Sequence, residues 1–373
     1  MVMRHAEHSN LTMTAHQPRA STRRSLDAVQ RTLVDWIQQR PAYAAAEIIA
    51  LERPAGAGLS NETYLFDCRS ERGVESLVMQ VGPAGEGLFR DYDLVGMARI
   101  QQQLAAISSV PVPTVRWVEA DPAWLAAPFY VMNRVPGRVP GDNPTYHQAG
   151  WFSALPVPER AAAWYSGIRA LARLHRLEPA AGFSFLQDAP WGMGRYADPV
   201  AVRLRQWRDF MRWRARSPLL PLAQALNALE NSRPAARKPR IAWGDAKLSN
   251  CVIEQGQVTA LLDWELCGLS DPDEDLAFWL LLDWAHWRIP GVARLTELPT
   301  ANATLEHYAH AGGQPSADVL WWFKFGLVRL AIIFNRFIER RVEMGRLPPE
   351  VDAVAANPVC ALLPEVLAMK ELP

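Results

Sequence analysis

The sequence predicts an α+β fold in two lobes: a small antiparallel β lobe with one helix, followed by a larger, mostly helical lobe. Two observations support this prediction. Strand-like runs separated by turns dominate the chain up to about residue 135, and helical periodicity dominates the remainder. The predicted division is a flexible N-terminal arm at 1–24, a mainly β lobe with a leading helix at 25–135, and a mostly helical lobe at 136–373.

The composition describes an ordinary globular protein without a large net charge. The chain has 373 residues, is 49% hydrophobic, and carries 39 basic and 39 acidic side chains. Balanced charge gives no long-range attraction for a nucleic acid or an anionic membrane, so neither partner is expected. A small, locally recognised molecule is the expected partner, and the oligomeric state is left open.

The cysteines and the beginning of the chain favour a cytoplasmic location. Cys68, Cys251, Cys267 and Cys360 lack the spacing of a zinc site and the density of a disulfide scaffold, which predicts buried thiols. The beginning, MVMRHAEHSNLTMTAHQ, has no apolar run typical of a secretory signal. The runs LAFWLLLDW and FGLVRLAIIF are too short to cross a bilayer and are predicted to be core helices.

The first lobe is predicted to hold five strands and a helix after its leading helix. SLDAVQRTLVDWIQQR has apolar residues at helical spacing and is followed by Pro41. EIIALE, TYLFDC and SLVMQV are three strand-like runs, and FRDYDLVGMARIQQQLAAI is predicted to be a helix. PVPTVRWVEA and PFYVMNRVPG are two further strands between prolines.

The second lobe is predicted to be helical except around one segment. ERAAAWYSGIRALARLHRLE, PVAVRLRQWRDFMRWRAR and PLLPLAQALNALENS have helical periodicity. RIAWGD, CVIE and VTALLDW are short strand-like pieces, and further helices follow them. DVLWWFKFGLVRLAIIFNRFIERRVEMGR is apolar on nearly every face, which predicts a helix through the middle of this lobe.

The exceptional segment, IAWGDAKLSNCVIEQGQVTALLDWELC, places polar side chains between its strand-like runs. Asp245 and Asn250 share one loop, and Asp263 ends a predicted hairpin of CVIE and VTALLD. Phosphoryl transfer from ATP needs a carboxylate beside the acceptor hydroxyl, and Mg²⁺ prefers oxygen ligands. The pattern therefore favours a magnesium-dependent phosphoryl-transfer site.

A second acidic run is predicted to be structural. SDPDEDLAFW has the pattern of a helix start, with Asp271, Asp273 and Asp275 as capping and first-turn residues. His175 is predicted to be hydrogen-bonded inside the lobe and not to act directly in catalysis.

WGDAKLSN followed by LLDWELCGLSDPDEDLA resembles the signature of the aminoglycoside phosphotransferase and choline kinase-like family, which shares the two-lobed fold of the protein kinases. The resemblance covers most of the chain, from about Leu51 to the last helices. GLSNETYLF resembles the nucleotide-covering loop, PVPTVRWVE and APFYVMNRVPG the strands leading into the hinge, and LARLHRL the helix before the catalytic loop. The likeness is closest to a bacterial branch related to the kinase-like domains of some acyl-CoA dehydrogenases and to mycobacterial phosphotransferase-like proteins.

The resemblance implies ATP and Mg²⁺ as cofactors, with GTP left open. It also implies that 25–135 is the nucleotide-binding lobe and that 136–373 is the catalytic and acceptor-binding lobe. Asp245 would be the catalytic base or the carboxylate that orients the acceptor hydroxyl, and Lys247 would contact the transferred phosphate. Asn250 and Asp263 would bind the metal. The covering loop would lie over the phosphates, and backbone groups of the hinge would meet adenine. The residues implied in these nucleotide contacts are Gly58, Leu59, Ser60, Asn61, Tyr130 and Met132.

Two positions depart from the family pattern. Trp243 stands where the family usually has a histidine, and it is interpreted as a marker of the branch. The third strand usually offers Lys or Arg to the phosphates, paired with an acidic residue of the next helix, and here the predicted pair is Gln80 and Asp91. A neutral amide loses one charge-assisted contact, so weaker ATP binding is expected unless Arg90 supplies the cation.

The resemblance thus implies an ATP- and Mg²⁺-dependent O-phosphotransferase that acts on the hydroxyl of a small molecule. A hydroxylated metabolite such as a hydroxyacyl thioester is placed ahead of an antibiotic such as an aminoglycoside, because tryptophans near the cleft would favour a flat or apolar acceptor. The tryptophans concerned are Trp279, Trp284, Trp287, Trp321 and Trp322. The alternative is a catalytically weak or inactive kinase-like binding protein. A protein kinase is disfavoured, because nothing after Asp263 resembles an activation segment.

Overall fold

The structure is a computed structural model that describes residues 24–54, 60–83, 85, 87–216 and 219–373. These residues form a small N-terminal lobe built on one sheet and a larger, mostly helical C-terminal lobe. The predicted α+β, two-lobed architecture is confirmed.

The N-terminal lobe is a five-stranded antiparallel sheet accompanied by two helices. The strands are β1 (Glu47–Glu52), β2 (Glu62–Ser70), β3 (Gly73–Val81), β4 (Val115–Glu119) and β5 (Phe129–Asn133). Their order is β1-β2-β3-β5-β4, so β5 lies inside the sheet. The helices are α1 (Leu26–Gln38), which contacts β1, and α2 (Leu94–Ile107), which contacts β4 and β5.

Helix α2 begins later than the sequence predicts. The pattern places its start near Phe89, but the carboxylate of Asp93 accepts a hydrogen bond from a backbone N–H three residues on, at 2.7 Å, and starts the helix at Leu94. Asp is a favoured N-cap residue. The preceding segment is held by the hydroxyl of Tyr92, which accepts from the N–H of Phe89. Asp91 therefore lies outside the helix.

The segment before α2 also joins the two lobes. Phe89 is buried, and its ring lies 5.5 Å from that of Phe210 and 6.4 Å from that of Trp191, both in the C-terminal lobe. Aromatic pairs at such separations add to the stability gained by burial. The lobes are thus attached at Phe89 as well as at the linker after β5.

The C-terminal lobe surrounds one long central helix, as its apolar pattern predicts. Its helices are α3 (Val157–His175), α4 (Pro199–Arg212), α5 (Leu220–Asn231), α6 (Pro272–Arg288), α7 (Ala301–His310), α8 (Val319–Glu343) and α9 (Leu363–Ala368). Helix α8 packs against α4, α5, α6 and α9.

Two short strand pairs interrupt the helices of this lobe. They are formed by β6 (Arg240–Ala242), β7 (Cys251–Glu254), β8 (Gln257–Leu261) and β9 (Gly268–Ser270). The β7–β8 hairpin confirms the prediction, whereas β9, which pairs with β6, was not predicted. Three residues are too few to show an alternating pattern. A side chain at Gly268 would collide with the carbonyl of Trp191, so this position requires glycine.

The structure also tests the predictions for the thiols and the apolar runs. Cys68, Cys251 and Cys267 are buried free thiols and Cys360 is half-buried. Burial raises the pKa of the Cys68 thiol to about 11. Among the helices of the described residues, none is both long enough and apolar enough to cross a membrane.

Candidate active site

The loop between β6 and β7, residues 243–250, brings Asp245 and Asn250 together; we call it the catalytic loop. The Asn250 Nδ2 donates to Asp245 Oδ2 at 2.8 Å and to the Asp245 carbonyl at 3.1 Å. Lys247 Nζ lies 3.5 Å from the same Oδ2. A short 3-10 turn, Leu248–Asn250, ends the loop and allows this return contact. The carboxylate is therefore fixed by an amide and a cation on one oxygen.

Asp263 lies on the turn after β8, close to Asp245. Its φ of +59° is in the left-handed region, which is uncommon for a residue other than glycine. The indole Nε1 of Trp243 donates to the carbonyl of Leu262 at 2.9 Å and to that of Asp263 at 3.2 Å, and so holds the turn. Burial and the negative charge of Asp245 raise the pKa of Asp263 to about 6. Trp243 thus has a structural role that links the loop to the turn.

Asp275 of α6 forms hydrogen bonds with the backbone of the catalytic loop. Its two carboxylate oxygens accept hydrogen bonds from the backbone N–H of Trp243 at 2.6 Å and of Gly244 at 2.8 Å. His175 Nε2 lies 3.0 Å from the same carboxylate, and His175 Nδ1 lies 2.6 Å from the hydroxyl of Tyr308. The prediction of a hydrogen-bonded histidine inside the lobe is confirmed.

The prediction that the acidic run caps and begins a helix is confirmed for all three residues. Asp271 is the N-cap of α6 and accepts from the N–H of Asp273 at 2.9 Å. Asp273 lies in the first turn and pairs with Arg237 at 2.9 Å. Asp275 also lies in that turn, but its carboxylate binds the catalytic loop. Sequence reasoning missed this contact, although three acidic residues exceed what one helix start needs.

Buried charged side chains also contact the catalytic loop, directly or through one another. Arg329 of α8 donates to the carbonyl of Gly244 and lies 3.2 Å from Glu274, which Arg203 contacts at 2.8 Å. Gly244 has a φ of +88°, and a side chain there would collide with the carbonyl of Leu266. The loop therefore depends on glycine at this position and on a buried ion network beneath it.

Lys247 faces a second carboxylate that the sequence did not reveal. Its Nζ lies 3.1 Å from Asp142 Oδ2, and Asp142 Oδ1 lies 3.2 Å from His286 Nε2. The Asp142 side chain is about half exposed, and the charge of Lys247 and the hydrogen bond from His286 hold its pKa well below its ordinary value. In the same way, the charges of Asp245 and Asp142 outweigh burial and raise the pKa of Lys247. Lys247 is a charged ammonium between two carboxylates.

The predicted covering loop approaches the same cleft from the N-terminal lobe. Asn61 Nδ2 lies 3.4 Å from Glu265 Oε2, and Ser60 also hydrogen-bonds to Glu265. Burial and the charge of Asp263 raise the pKa of Glu265 well above its ordinary value. The other two residues predicted in this loop lie outside the described residues: Gly58 and Leu59. The end of the loop therefore contacts the turn that carries Asp263.

The structure does not pair Gln80 with Asp91. Gln80 Oε1 accepts from the hydroxyl of Tyr130 at 2.9 Å, and Gln101 of α2 donates to that hydroxyl at 3.0 Å. The Asp91 side chain is 53% exposed and lies 2.8 Å from Arg90 Nε, because it precedes the helix that was expected to carry it. The amide of Gln80, the phenol of Tyr130 and the amide of Gln101 therefore form a neutral hydrogen-bonded chain where the resemblance placed an ion pair.

The backbones of Tyr130 and Met132 are engaged within the sheet. Strand β5 has neighbours on both sides, and its register places Tyr130 opposite Gln80 and Met132 opposite Val78. Interior strands use their backbone groups in both ladders. In the part of the chain that the structure describes, the first backbone N–H beyond β5 without a hydrogen-bond partner is that of Val135. The contacts of Tyr130 and Met132 to adenine stay a prediction, and the N–H of Val135 in the linker is a further candidate donor.

The oxygen atoms at the cleft fit a magnesium ion that is held together with phosphates. Among the described residues, no group of three or more His, Cys, Asp or Glu side chains forms a metal site. Mg²⁺ typically takes one or two protein carboxylates and completes its shell with waters and substrate phosphates. Burial and the charge of Asp245 raise the pKa of Asp263, and a divalent cation at Asp263 and Asn250 would offset both effects.

Comparisons with known proteins point to the same chemistry. The family model described as "Phosphotransferase enzyme family" matches residues 52–317. The acyl-CoA dehydrogenase family member 10 of Mus musculus is 25% identical over 296 residues, which cover 76% of this chain and 26% of that protein. The match thus spans about a quarter of the length of this relative.

Solved structures show the same two-lobed architecture. A protein of Ralstonia eutropha JMP134, provisionally named an aminoglycoside phosphotransferase, superposes with a TM-score of 0.62 at 21% identity, covering 90% of this chain and 95% of its own. The aminoglycoside phosphotransferase APH(4)-Ia, in a ternary complex with AMP-PNP and hygromycin B, has a TM-score of 0.58 at 15% identity, covering 91% and 99%. At these identities the likeness shows the fold, which is kinase-like as predicted.

Proposed function

Because this chain belongs to the phosphotransferase enzyme family, we propose that it is an ATP- and Mg²⁺-dependent O-phosphotransferase acting on the hydroxyl of a small molecule. One observation supports the proposal: Asp245 is hydrogen-bonded to Asn250, lies 3.5 Å from Lys247 and is close enough to Asp263 that burial and the charge of Asp245 together raise the pKa of that carboxyl. We place the activity in the cytoplasm, where ATP is available and where buried free thiols stay reduced.

The contacts of Asp245 suggest how the acceptor hydroxyl is held. Asn250 and Lys247 both contact Oδ2. This leaves Oδ1 to accept the hydrogen bond of the acceptor hydroxyl and, as the phosphoryl group transfers, its proton. The ammonium of Lys247, which lies 3.5 Å from Asp245, would stabilise the negative charge of the transferred phosphoryl group. Asn250 and Asp263 would hold Mg²⁺, which when bound would neutralise negative charge at the phosphate oxygens.

We propose a hydroxylated metabolite, such as a hydroxyacyl thioester, as the acceptor ahead of an aminoglycoside. The expectation that tryptophans near the cleft would favour a flat or apolar acceptor does not support this choice, because the tryptophans concerned are buried in the core or half-buried. They are Trp279, Trp284, Trp287, Trp321 and Trp322. The support comes instead from the similarity to an acyl-CoA dehydrogenase family member, whose name concerns acyl thioesters.

The second candidate is a nucleotide- or ligand-binding protein with weak or no turnover. The neutral contacts of Gln80 favour it, since β3 offers the phosphates no cation at that position. This candidate predicts nucleotide binding without acceptor-stimulated ADP release.

The test is ADP release by the purified chain with ATP or GTP, with and without Mg²⁺, against a panel of acceptors. The panel holds hydroxyacyl thioesters, aminoglycosides, macrolides, choline-like alcohols and sugars. We expect stimulation that requires Mg²⁺ and is lost in Asp245→Asn and Asp263→Asn, but not in Asp35→Asn, an exposed position on α1. If nucleotide and Mg²⁺ raise the melting temperature while no acceptor stimulates turnover, the binding-protein candidate replaces the proposal.

A further inference from the structure

The segment 142–147, between β5 and α3, is bound to the C-terminal end of α6. The hydroxyl of Thr145 donates to the carbonyl of His286 at 2.9 Å. The hydroxyl of the next residue, Tyr146, donates to Asp283 at 2.8 Å, and its buried ring lies 5.2 Å from that of His286. Two consecutive residues thus hold the segment on α6, and its beginning lies beside the end of the same helix.

Asp142, the first residue of this segment, has a different partner on each carboxylate oxygen. Its Oδ2 lies 3.1 Å from Lys247 Nζ, and its Oδ1 lies 3.2 Å from His286 Nε2. The ammonium of Lys247 is closer to Asp142 than to Asp245, whose Oδ2 is 3.5 Å away. His286 therefore orients the carboxylate, and the carboxylate contacts the ammonium that faces the proposed catalytic base.

Structural stabilisation does not account for this ion pair. The Asp142 side chain is 48% exposed, and ion pairs open to solvent contribute little to stability. The segment is already held on α6 by Thr145 and Tyr146. The Lys247 side chain, in contrast, is only 17% exposed, and a nearly buried cation requires a counter-charge. The ion pair therefore matters mainly for the position of the ammonium.

The position of the ammonium depends on attraction from two sides. Among the described residues, the carboxylates within 4 Å of Lys247 Nζ are those of Asp142 and Asp245. Without the charge of Asp142, the remaining attraction would draw the ammonium towards Asp245. A closer ammonium would make the Asp245 carboxylate a poorer proton acceptor, because an opposite charge stabilises the ionised form. The ammonium would also be less available to a phosphoryl group.

Building on the proposed function, we propose that Asp142 is a positioning residue for phosphoryl transfer, which holds the ammonium of Lys247 between itself and Asp245. Asp142 acts through Lys247 and does not itself contact the reacting atoms. In this arrangement Asp245 is free to take the proton of the acceptor hydroxyl, and Lys247 is free to contact the transferred phosphoryl group. The segment after β5 thus contributes to catalysis through a lysine 105 residues later in the chain.

A double-mutant cycle tests whether Asp142 acts through Lys247. Asp142→Asn keeps the shape of the side chain and removes its charge. We expect kcat to fall about tenfold and the KM for ATP to change less than about threefold, because the ammonium acts mainly on the transition state. In the background of Lys247→Met, which has no ammonium to position, the same substitution should change kcat less than about twofold. The same fall in both backgrounds, or an unchanged kcat in Asp142→Asn alone, overturns the inference.

Thr145→Val is the matched control for the folding of the segment. It removes the hydrogen bond to the carbonyl of His286 and leaves the charge of Asp142 in place. We expect a lower melting temperature than that of the wild type, with kcat within about twofold. A loss of kcat as large as that of Asp142→Asn would mean that binding of the segment to α6, and not the charge of Asp142, is what matters, and would overturn the inference.

Nuclear magnetic resonance of the lysine ammonium groups provides a test that needs no turnover. The full chain, labelled with ¹⁵N-lysine, contains four lysines: Lys238, Lys247, Lys324 and Lys370. An ammonium held in a nearly buried ion pair exchanges its protons with water slowly. We expect an Nζ–H signal of Lys247 near neutral pH, identified by its absence in Lys247→Met, and proton exchange about threefold faster or more in Asp142→Asn. Equal exchange in the wild type and in Asp142→Asn overturns the inference.

The two kinds of measurement separate the inference from the proposed function. Proton exchange that depends on Asp142, in a chain without acceptor-stimulated ADP release, overturns the proposed function and supports the restraint of Lys247 by Asp142. Acceptor-stimulated ADP release with equal kcat in the wild type and in Asp142→Asn supports the proposed function and overturns the inference.

Discussion

The two sides of the cleft are built from different chemistry. On the C-terminal side, Lys247 lies within 3.5 Å of both Asp245 and Asp142. Burial and the charge of Asp245 raise the pKa of Asp263 nearby. On the N-terminal side, Gln80 meets only neutral groups where the resemblance placed an ion pair. If the chain binds ATP as proposed, the charges that act on the phosphates would therefore come mainly from one lobe. We infer that turnover depends on the C-terminal lobe, and that the N-terminal lobe adjusts nucleotide affinity.

The largest effect is expected for Asp245→Asn. The amide cannot accept the proton of the acceptor hydroxyl, so kcat should fall by about 10³-fold, as for loss of a general base. Nucleotide binding should persist, because Asn250, Asp263 and the covering loop are unchanged. Steady-state ADP release and calorimetric ATP titration measure the two quantities. Turnover within a factor of ten of the wild type would show that this carboxylate is not the catalytic group.

A smaller loss of turnover is expected for Asp275→Asn, which weakens the hydrogen bonds that position the catalytic loop. One acceptor oxygen is lost, so the N–H of Trp243 or Gly244 is left buried without a partner. Stability should fall by about 2 kcal/mol and kcat by about 10²-fold, with the KM for ATP little changed. Asp271→Asn on the same helix is the control, because asparagine is an equally good N-cap. Equal stability and turnover in the two variants would contradict the supporting role.

Gln80→Lys tests whether the neutral side of the cleft limits nucleotide affinity. A cation there would add one charge-assisted contact to phosphate, which corresponds to about a tenfold lower KM for ATP. Gln80→Met is the matched control, because it removes the hydrogen bond from Tyr130 without adding charge. An unchanged or higher KM in Gln80→Lys would show that the phosphates do not approach β3.

The smallest effect on turnover is expected for Asp283→Asn, a buried carboxylate of α6 contacted by Tyr146 at 2.8 Å, His147 at 3.1 Å and Arg294 at 2.8 Å. Burial alone would raise its pKa, but the hydrogen bond from His147 and the charge of Arg294 hold the pKa below its ordinary value. A lowered pKa contributes stability that is present above about pH 4 and is lost only as pH falls through the folded-state value.

The variant should therefore unfold with about 2 kcal/mol less free energy than the wild type. Because the carboxylate stays ionised, this difference should be the same at pH 7 and at pH 5 in urea titrations. A difference that shrinks between these pH values would mean that the carboxylate is protonated within this range.

The features that the sequence predicts well are local. Asp245, Asn250 and Asp263 lie on one loop and one hairpin, so spacing and turn chemistry are enough to bring them together. The features that the sequence did not predict join distant segments. Asp142 is 105 residues from Lys247, and the Tyr130 hydroxyl that contacts Gln80 comes from a strand 50 residues away. Periodicity gives no information about such contacts.

The errors in placing elements from the sequence also have physical explanations. The apolar pattern around Phe89 continues into α2, but the Asp93 cap starts the helix only at Leu94, which leaves Asp91 in the preceding segment. Composition likewise gives no sign of contacts that form only on folding: the backbone N–H of Arg216 donates to Glu339, 123 residues away.

The contact of Phe89 with Phe210 and Trp191 has a consequence for how the cleft opens. Each contact between the lobes opposes a motion that would break it. The N-terminal lobe is attached at the linker after β5 and at Phe89, and the carbonyl of Pro111 accepts a hydrogen bond from the N–H of Leu261 at 2.8 Å. We therefore expect any opening of the proposed nucleotide site to occur by a small rotation of one lobe against the other, without separation of the lobes.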